Sequence, residues 1–469
     1  MPELQEQEIW QRARLFPTVG ISGPKEQEPR ATSALLSVVQ AVPSFGKALL
    51  KSLDAPAGKI STFTEVRLKD SEGLTHVPDG AIVIEKGTRR WSALLEVKTG
   101  RNEVPADQVV RYLDLARRYG FDALFTVSNE IVADPEELPY KVKGQKIGKL
   151  TVRHLSWWQV LTEAIIQQRF RGVDDPDQAW TLEELIRFLM DERSGAGGFL
   201  GMGESWVKVR DGARDGTLPS AGAEALSASA RWEQLVEYLC LNLSQELGVV
   251  VRARHPRGRR PADRVVEASR SFAENATLKG TIAVPGAVGP IELVVDLKAK
   301  QLMTSIPLDA PGEGKRPLTK ITWLLRQLQD APDDLRVDVR FPNRKIGTAA
   351  LLRDCREDPA RLLLDDDPNC QPRSFLLALT RPIKAKSGSG PGSFVEEVRS
   401  HTADFYRDIV QDLKPPPPST PKLPEADEPE PQPPTLAPTP QDPATEAQVR
   451  REHGLGLQNL AGVLREVNP

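Results

Sequence analysis

Asp79 and Glu96 are the residues whose types and spacing point most directly to chemistry. Asp79 follows Pro78, and Glu96 opens the triplet Glu96-Val97-Lys98. Between them lie two apolar, β-prone runs, 81–85 and 91–98, joined through Lys86-Gly87-Thr88, whose glycine suits a tight turn. With Gly87-Thr88 as a two-residue loop, counting outward pairs Lys86 with Arg89, Glu85 with Arg90 and, at the far end, Asp79 with Glu96. Cross-strand partners carry Cβ atoms roughly 5 Å apart, so the two carboxylates repel each other unless a cation lies between them. Strand alternation puts Lys98 on the face of Glu96 and turns Leu95 and Val97 into the core.

One acid pair beside one ammonium suits phosphodiester hydrolysis. Asp79 and Glu96, with the carbonyl of Val97, offer hard oxygen ligands for Mg²⁺ or Mn²⁺, which polarises a phosphate and acidifies a bound water. Lys98 is then expected to orient that water or to stabilise charge on the phosphorus. An acidic-x-Lys triplet is common by chance. The opposed aspartate gives it weight, because register is specified only where a face is buried.

These residues resemble the PD-(D/E)xK nuclease superfamily, whose signature is a Pro-Asp, a β-hairpin and then an acidic-x-Lys. Downstream, Pro105-Ala106-Asp107-Gln108 opens a helix, and Gln108 and Tyr112 lie four apart on one face, similar to the QxxxY element of the RecB-like branch. The resemblance implies a place near the metal for Gln108 and near the nucleic acid for Tyr112. It also makes Glu65, in the strand-like run Thr64-Glu65-Val66, a candidate third carboxylate. With the next strand at 123–127 it implies a restriction-endonuclease-like αβββαβ core with a mixed sheet, over roughly residues 30 to 170. His76 and His154 are read as structural, since such sites are rich in oxygen.

The elements that must position this cluster follow from composition and periodicity. At 469 residues the chain is long enough for two or three domains, and its net charge of −3 excludes a globally basic nucleic-acid coat. Cys240, Cys355 and Cys370 have no metal-ligand spacing, so reduced thiols and no zinc module are expected. The start of the chain has no secretory pattern and no run is long and apolar enough to span a membrane, which gives a cytoplasmic expectation.

An N-terminal arm (1–29) leads to a helix around 31–51 and the nuclease-like domain (30–193), closed by helices at 156–169 and 182–191. Glycine-rich and polar residues mark 194–230 as a flexible linker. An α+β accessory domain (231–413) follows, opening on the helix 232–247 and continuing with a largely antiparallel sheet. A proline-rich disordered linker (414–444) and a tail with a short helix (445–469) complete the chain.

Basic stretches supply the expected phosphate contacts. Arg252, Arg254, Arg257, Arg259 and Arg260, with His255 and Arg264 among them, form one; Lys141, Lys143, Lys146, Lys149 and Arg153 form another. Asp296-Leu297-Lys298 echoes the acidic-x-Lys triplet but has no acid at hairpin distance, and Pro311–Arg316 lacks the residues of a phosphate loop. The sequence therefore reads as a metal-dependent nuclease with DNA as its expected partner, and with a protein partner at the C-terminal domain or tail. A lapsed nucleic-acid-binding or scaffold protein is the alternative reading. The Ala-, Arg- and Pro-rich composition also resembles actinobacterial stress-response proteins, which implies nothing about mechanism.

Overall fold

The computed structural model of the chain describes residues 11–12, 26–133, 137–140, 149–199, 201–219, 222–312, 315–383 and 392–417. Lys141, Lys143, Lys146 and nearly all of the proline-rich and C-terminal segments lie outside them.

The chain is mixed α/β. Its first sheet has the order β1-β2-β5-β6-β7-β8. These strands are β1 (Gln11–Arg12), β2 (Lys59–Thr64), β5 (Gly80–Lys86), β6 (Arg89–Val97), β7 (Ala123–Ser128) and β8 (Thr151–Ser156), and a small ribbon of β3 (Leu68–Lys69) and β4 (Thr75–His76) stands apart. β1 falls in the expected N-terminal arm and pairs with the end of β2. β2, β5 and β6 run antiparallel, while β6, β7 and β8 run parallel, so the sheet is mixed.

Helices cover both faces. α1 (Gln27–Ala41), α2 (Pro43–Lys51), α4 (Trp157–Ile166) and α5 (Pro176–Met190) share a core with Ile82, Leu95, Val97, Phe125 and Leu155, and α3 (Ala106–Tyr119) packs on Ala81, Leu94, Leu124 and Val152 opposite. The helix expected over 31–51 is two helices meeting at 108°. Pro43 has no amide hydrogen to continue α1 and disfavours helical geometry at Val42, which sits at φ −114° and ψ 84°. Gly46 permits the resulting close approach, since a Cβ there would stand 2.1 Å from the Val39 carbonyl oxygen.

The second sheet is antiparallel throughout, in the order β14-β13-β15-β12-β11-β10-β9. Its strands are β9 (Arg252–Ala253), β10 (Thr277–Ala283), β11 (Ile291–Asp296), β12 (Gln301–Asp309), β13 (Arg336–Arg340), β14 (Thr348–Leu351) and β15 (Ser374–Pro382). They pack with α6 (Trp206–Arg214), α7 (Ala223–Leu247), α8 (Pro261–Asn275), α9 (Pro317–Leu325), α10 (Leu352–Glu357) and α11 (Phe394–Asp408).

The flexible linker expected over 194–230 is a correction. Phe199, Met202, Trp206, Val209 and Ala213 are buried in the second core, and α7 begins at Ala223, nine residues before the expected 232. Glycines at 195, 197 and 198 dominated the sequence signal, but the apolar residues behind them bury enough surface to offset the ordering entropy. The two sheets lie in one compact unit. Gln245 on α7 donates to Thr162 on α4 at 2.9 Å, and the Trp158 and Tyr238 rings stand 5.3 Å apart. Among the described residues no single helix is long and apolar enough to cross a membrane, and all three cysteines are free.

Candidate metal centre

The β5–β6 hairpin has the register read from its turn. Lys86 pairs with Arg89, Glu85 with Arg90 and Gly80 with Leu95, which sets Asp79 opposite Glu96 at the mouth of the ladder. Gly87, at φ 59°, supplies the left-handed residue of the turn. Along β6, Leu95 and Val97 face the core shared with α1 and α4, so Glu96 faces the α3 side with Leu94. Asp79 Oδ2 accepts from the Val97 amide at 2.8 Å, tying the two strand ends together beyond the last ladder pair.

A third carboxylate joins them from α1. Glu28, Asp79 and Glu96 each bring an oxygen into a group lying within 4.8 Å of one another. Lys98 Nζ donates to Glu28 Oε1 at 2.9 Å, to Glu96 Oε1 and to the Val97 carbonyl at 3.1 Å. Trp157, the first residue of α4, donates its indole N–H to the Lys98 carbonyl at 2.9 Å, and the Lys98 amide donates to Val127 at 2.7 Å. Ser156 holds Trp157 in place through a capping box with Gln159.

Electrostatically the site has more negative charge than its lysine can balance. Burial raises the Asp79 carboxyl, with Lys98 pulling against it, and burial followed by the charge of Asp79 raises Glu96 still further. Burial works against the Lys98 ammonium, yet Glu96 and then Asp79 hold its proton more firmly than usual. Glu96 is 1% exposed, and when both carboxyls are ionised its Oε2 has no donor among the described residues; a proton shared with Asp79 is its alternative to a cation. A buried carboxylate oxygen left unpaired costs desolvation energy that a hard cation would recover. Three carboxylates with one carbonyl form an all-oxygen donor set, which fits Mg²⁺ or Mn²⁺ and not a thiophilic metal.

Glu28 was not among the candidates read from sequence, although a signal exists. It falls in phase with Ala31, Leu35 and Val39, the buried stripe of α1, and an acid on an apolar stripe needs a partner. Glu65 does not join the cluster. The β2–β5 register continues to Asp79, whose carbonyl accepts from the Glu65 amide at 3.2 Å, but Glu65 takes φ 51°, which breaks the pleat that would have put its side chain beside Asp79.

Gln108 and Tyr112 are neighbours, with Gln108 Nε2 donating to the Tyr112 hydroxyl at 3.1 Å. Tyr112 is 5% exposed, so it has no free ring face to present to a nucleic acid, and its hydroxyl is the group available to the site. Burial, and then the charge of Glu96, pushes that hydroxyl up to about 12, so it remains a donor. Behind Glu96, the parallel register lines up Thr126 and His154 in one row across β6, β7 and β8. His154 bonds Thr126 Oγ1 at 2.9 Å and the Glu130 carbonyl at 2.9 Å, and burial lowers it to about 4. His76 pairs with Asp70, away from the cluster.

The arginine stretch is divided. Arg252, Arg254 and Arg257 are exposed with no ion-pair partner among the described residues, whereas Arg259 pairs with Glu267, Arg260 with Asp263 and Arg264 is buried against Glu233. Of the lysine set, Lys149 is exposed and Arg153 is held by Asp54. Asp296 ends β11 and accepts from the Ala299 amide, and Leu297-Lys298 begin the turn that follows. Comparison of the chain with family models, curated proteins and solved structures returned no match.

Proposed function

We propose that the chain is a divalent-metal-dependent nuclease that hydrolyses phosphodiester bonds in DNA, and that its first sheet is a restriction-endonuclease-like core of the PD-(D/E)xK type. The observation that carries the reading is the opposition of Asp79 and Glu96, with Glu28 completing a group of three carboxylates and Lys98 bonded to both glutamates. Glu28, Asp79, Glu96 and the Val97 carbonyl would hold the cation. Bound there, it would supply Lewis acidity to the phosphate and a more acidic water.

The protein's own groups do the rest. Lys98 now spends its hydrogen bonds on Glu28 and Glu96; once the carboxylates have another counter-charge, its ammonium is free to meet charge building on the phosphate oxygens. Fixed by its bonds to Trp157 and Val127, the Lys98 backbone needs no reorganisation to do so. The Tyr112 hydroxyl lies close enough to Glu96 and Asp79 to feel their charge, and Gln108 holds it from behind while it donates to the Val77 carbonyl. Arg252, Arg254 and Arg257 are among the exposed cations, without an ion-pair partner among the described residues, that would track a phosphate backbone.

Cleavage of single-stranded, double-stranded and branched DNA, with Mg²⁺ or Mn²⁺ and with chelator, tests this. Activity should require the metal and vanish in Asp79→Ala, Glu96→Ala and Lys98→Ala, with Glu28→Ala strongly impaired. Metal-independent binding without cleavage would replace the reading with that of a lapsed, nucleic-acid-holding protein.

A further inference from the structure

A second polar site lies in the other half of the molecule, in a cleft of about 380 Å³ between α7, α8 and the short edge strand β9 with β10. On α8 the lining residues Arg264, Glu267, Ala268 and Ser271 fall on one helical stripe, and the two small ones leave the room. β9 pairs only with Ile282 and Ala283, so it stops short of the part of β10 that lines the cleft. The volume falls in the range that encloses a small ligand.

Arg264 is the unusual residue. It is 7% exposed and its one ion pair, from Nη2 to Glu233, is long at 3.3 Å, while its Nε has no hydrogen-bond partner among the described residues. A guanidinium that is always charged and this deeply buried normally has its donors satisfied. Arg254 also lines the cleft, exposed and without an ion-pair partner among the described residues, whereas Lys279 offers its backbone, since its side chain alternates away from Gly280, which faces Val236 of α7. Of the two acids in the lining, Glu233 is shared with Arg264 and Glu267 is drawn outward to Arg259. With Glu267 turned outward, the lining sets two guanidiniums against one acid, and Arg264 is under-paired for its depth of burial.

We propose that this cleft binds the phosphate of a small phosphorylated ligand, either a free nucleotide or the phosphorylated end of a strand. The net positive lining suits an anion, and a guanidinium matches phosphate oxygens in both geometry and charge. The site is separate from the acidic cluster, and its occupancy is read without cleavage, so either proposal can fail alone.

Calorimetry on the full chain in chelator, with inorganic phosphate, AMP and succinate as probes, tests it. Phosphate and AMP should bind and succinate should not. Arg254→Ala, an exposed change that leaves the core intact, should weaken AMP binding about tenfold, the scale of one charge-assisted hydrogen bond. Arg264→Met should abolish binding, with circular dichroism confirming that it folds. A 5′-phosphorylated tetranucleotide binding more tightly than its 5′-hydroxyl form and than AMP assigns the site to strand ends; AMP binding more tightly than the strand assigns it to free nucleotides. No binding of phosphate or AMP, equal binding of succinate, or AMP affinity unchanged in Arg254→Ala would overturn the proposal.

Discussion

Replacing Glu96 by glutamine should stabilise the protein in the absence of divalent cations, which is the reverse of what removing a buried charged residue ordinarily does. In the metal-free cluster three carboxylates face one ammonium, and Glu96 is the most buried of the three. Burial and the charge of Asp79 push its carboxyl up to about 8, against an ordinary value of 4.5. Between those two values the folded protein holds a proton that the unfolded chain has released. Stability therefore falls as pH rises through this window, and the loss is complete above about 8. At about 1.4 kcal/mol per pH unit the ceiling is near 5 kcal/mol, and sharing of the proton with Asp79 reduces this to the order of 2–3 kcal/mol. Glutamine removes the titration but keeps the shape, and Lys98 remains balanced by Glu28 and Asp79. Urea unfolding in chelator should show the variant more stable than wild type at pH 8.5 and no longer so at pH 4.5. A variant less stable at pH 8.5, or the same pH slope in both proteins, would refute the electrostatic reasoning.

Lys98→Met should cost the metal-free protein on the order of 3 kcal/mol, because buried Glu96 and the half-buried Glu28 and Asp79 lose their counter-charge, and Mn²⁺ should restore much of it in a thermal melt. His154 has its imidazole lowered to about 4 by burial, so stability should fall as pH drops from about 6.5 towards 4, as the unfolded chain takes up the proton first; His154→Asn should flatten that acid limb of the pH–stability curve. Trp206→Ala should destabilise the second core by about 3–5 kcal/mol, and protease nicking within α6 (206–214) should appear only in that variant, since Trp206, Val209 and Ala213 are packed.

The hairpin register was legible because both of its determinants are local: a glycine at φ 59° fixes the loop, and alternation over one buried face fixes everything outward to Asp79 and Glu96. Glu28 is 51 residues upstream of Asp79, and only the tertiary placement of α1 brings it in; the acid on an apolar stripe signals a need for a partner but does not name it. Glu65 misled because a strand pattern assumes an unbroken pleat, and a single left-handed residue breaks it. Tyr112 occupies the expected helical position, but its burial is set by β5 and by the segment before it, which α3 covers. Glycine content concealed the packing of 194–230, because the apolar residues that order it are spaced too irregularly to show a period.

Titration of the full chain with Mn²⁺, followed by electron paramagnetic resonance and calorimetry, tests most directly whether the opposed carboxylates exist to hold a hard cation. One site should fill with release of protons near pH 7 and disappear in both Asp79→Asn and Glu96→Gln. Mn²⁺ uptake that is absent in the wild type, or unchanged in those two variants, would contradict it.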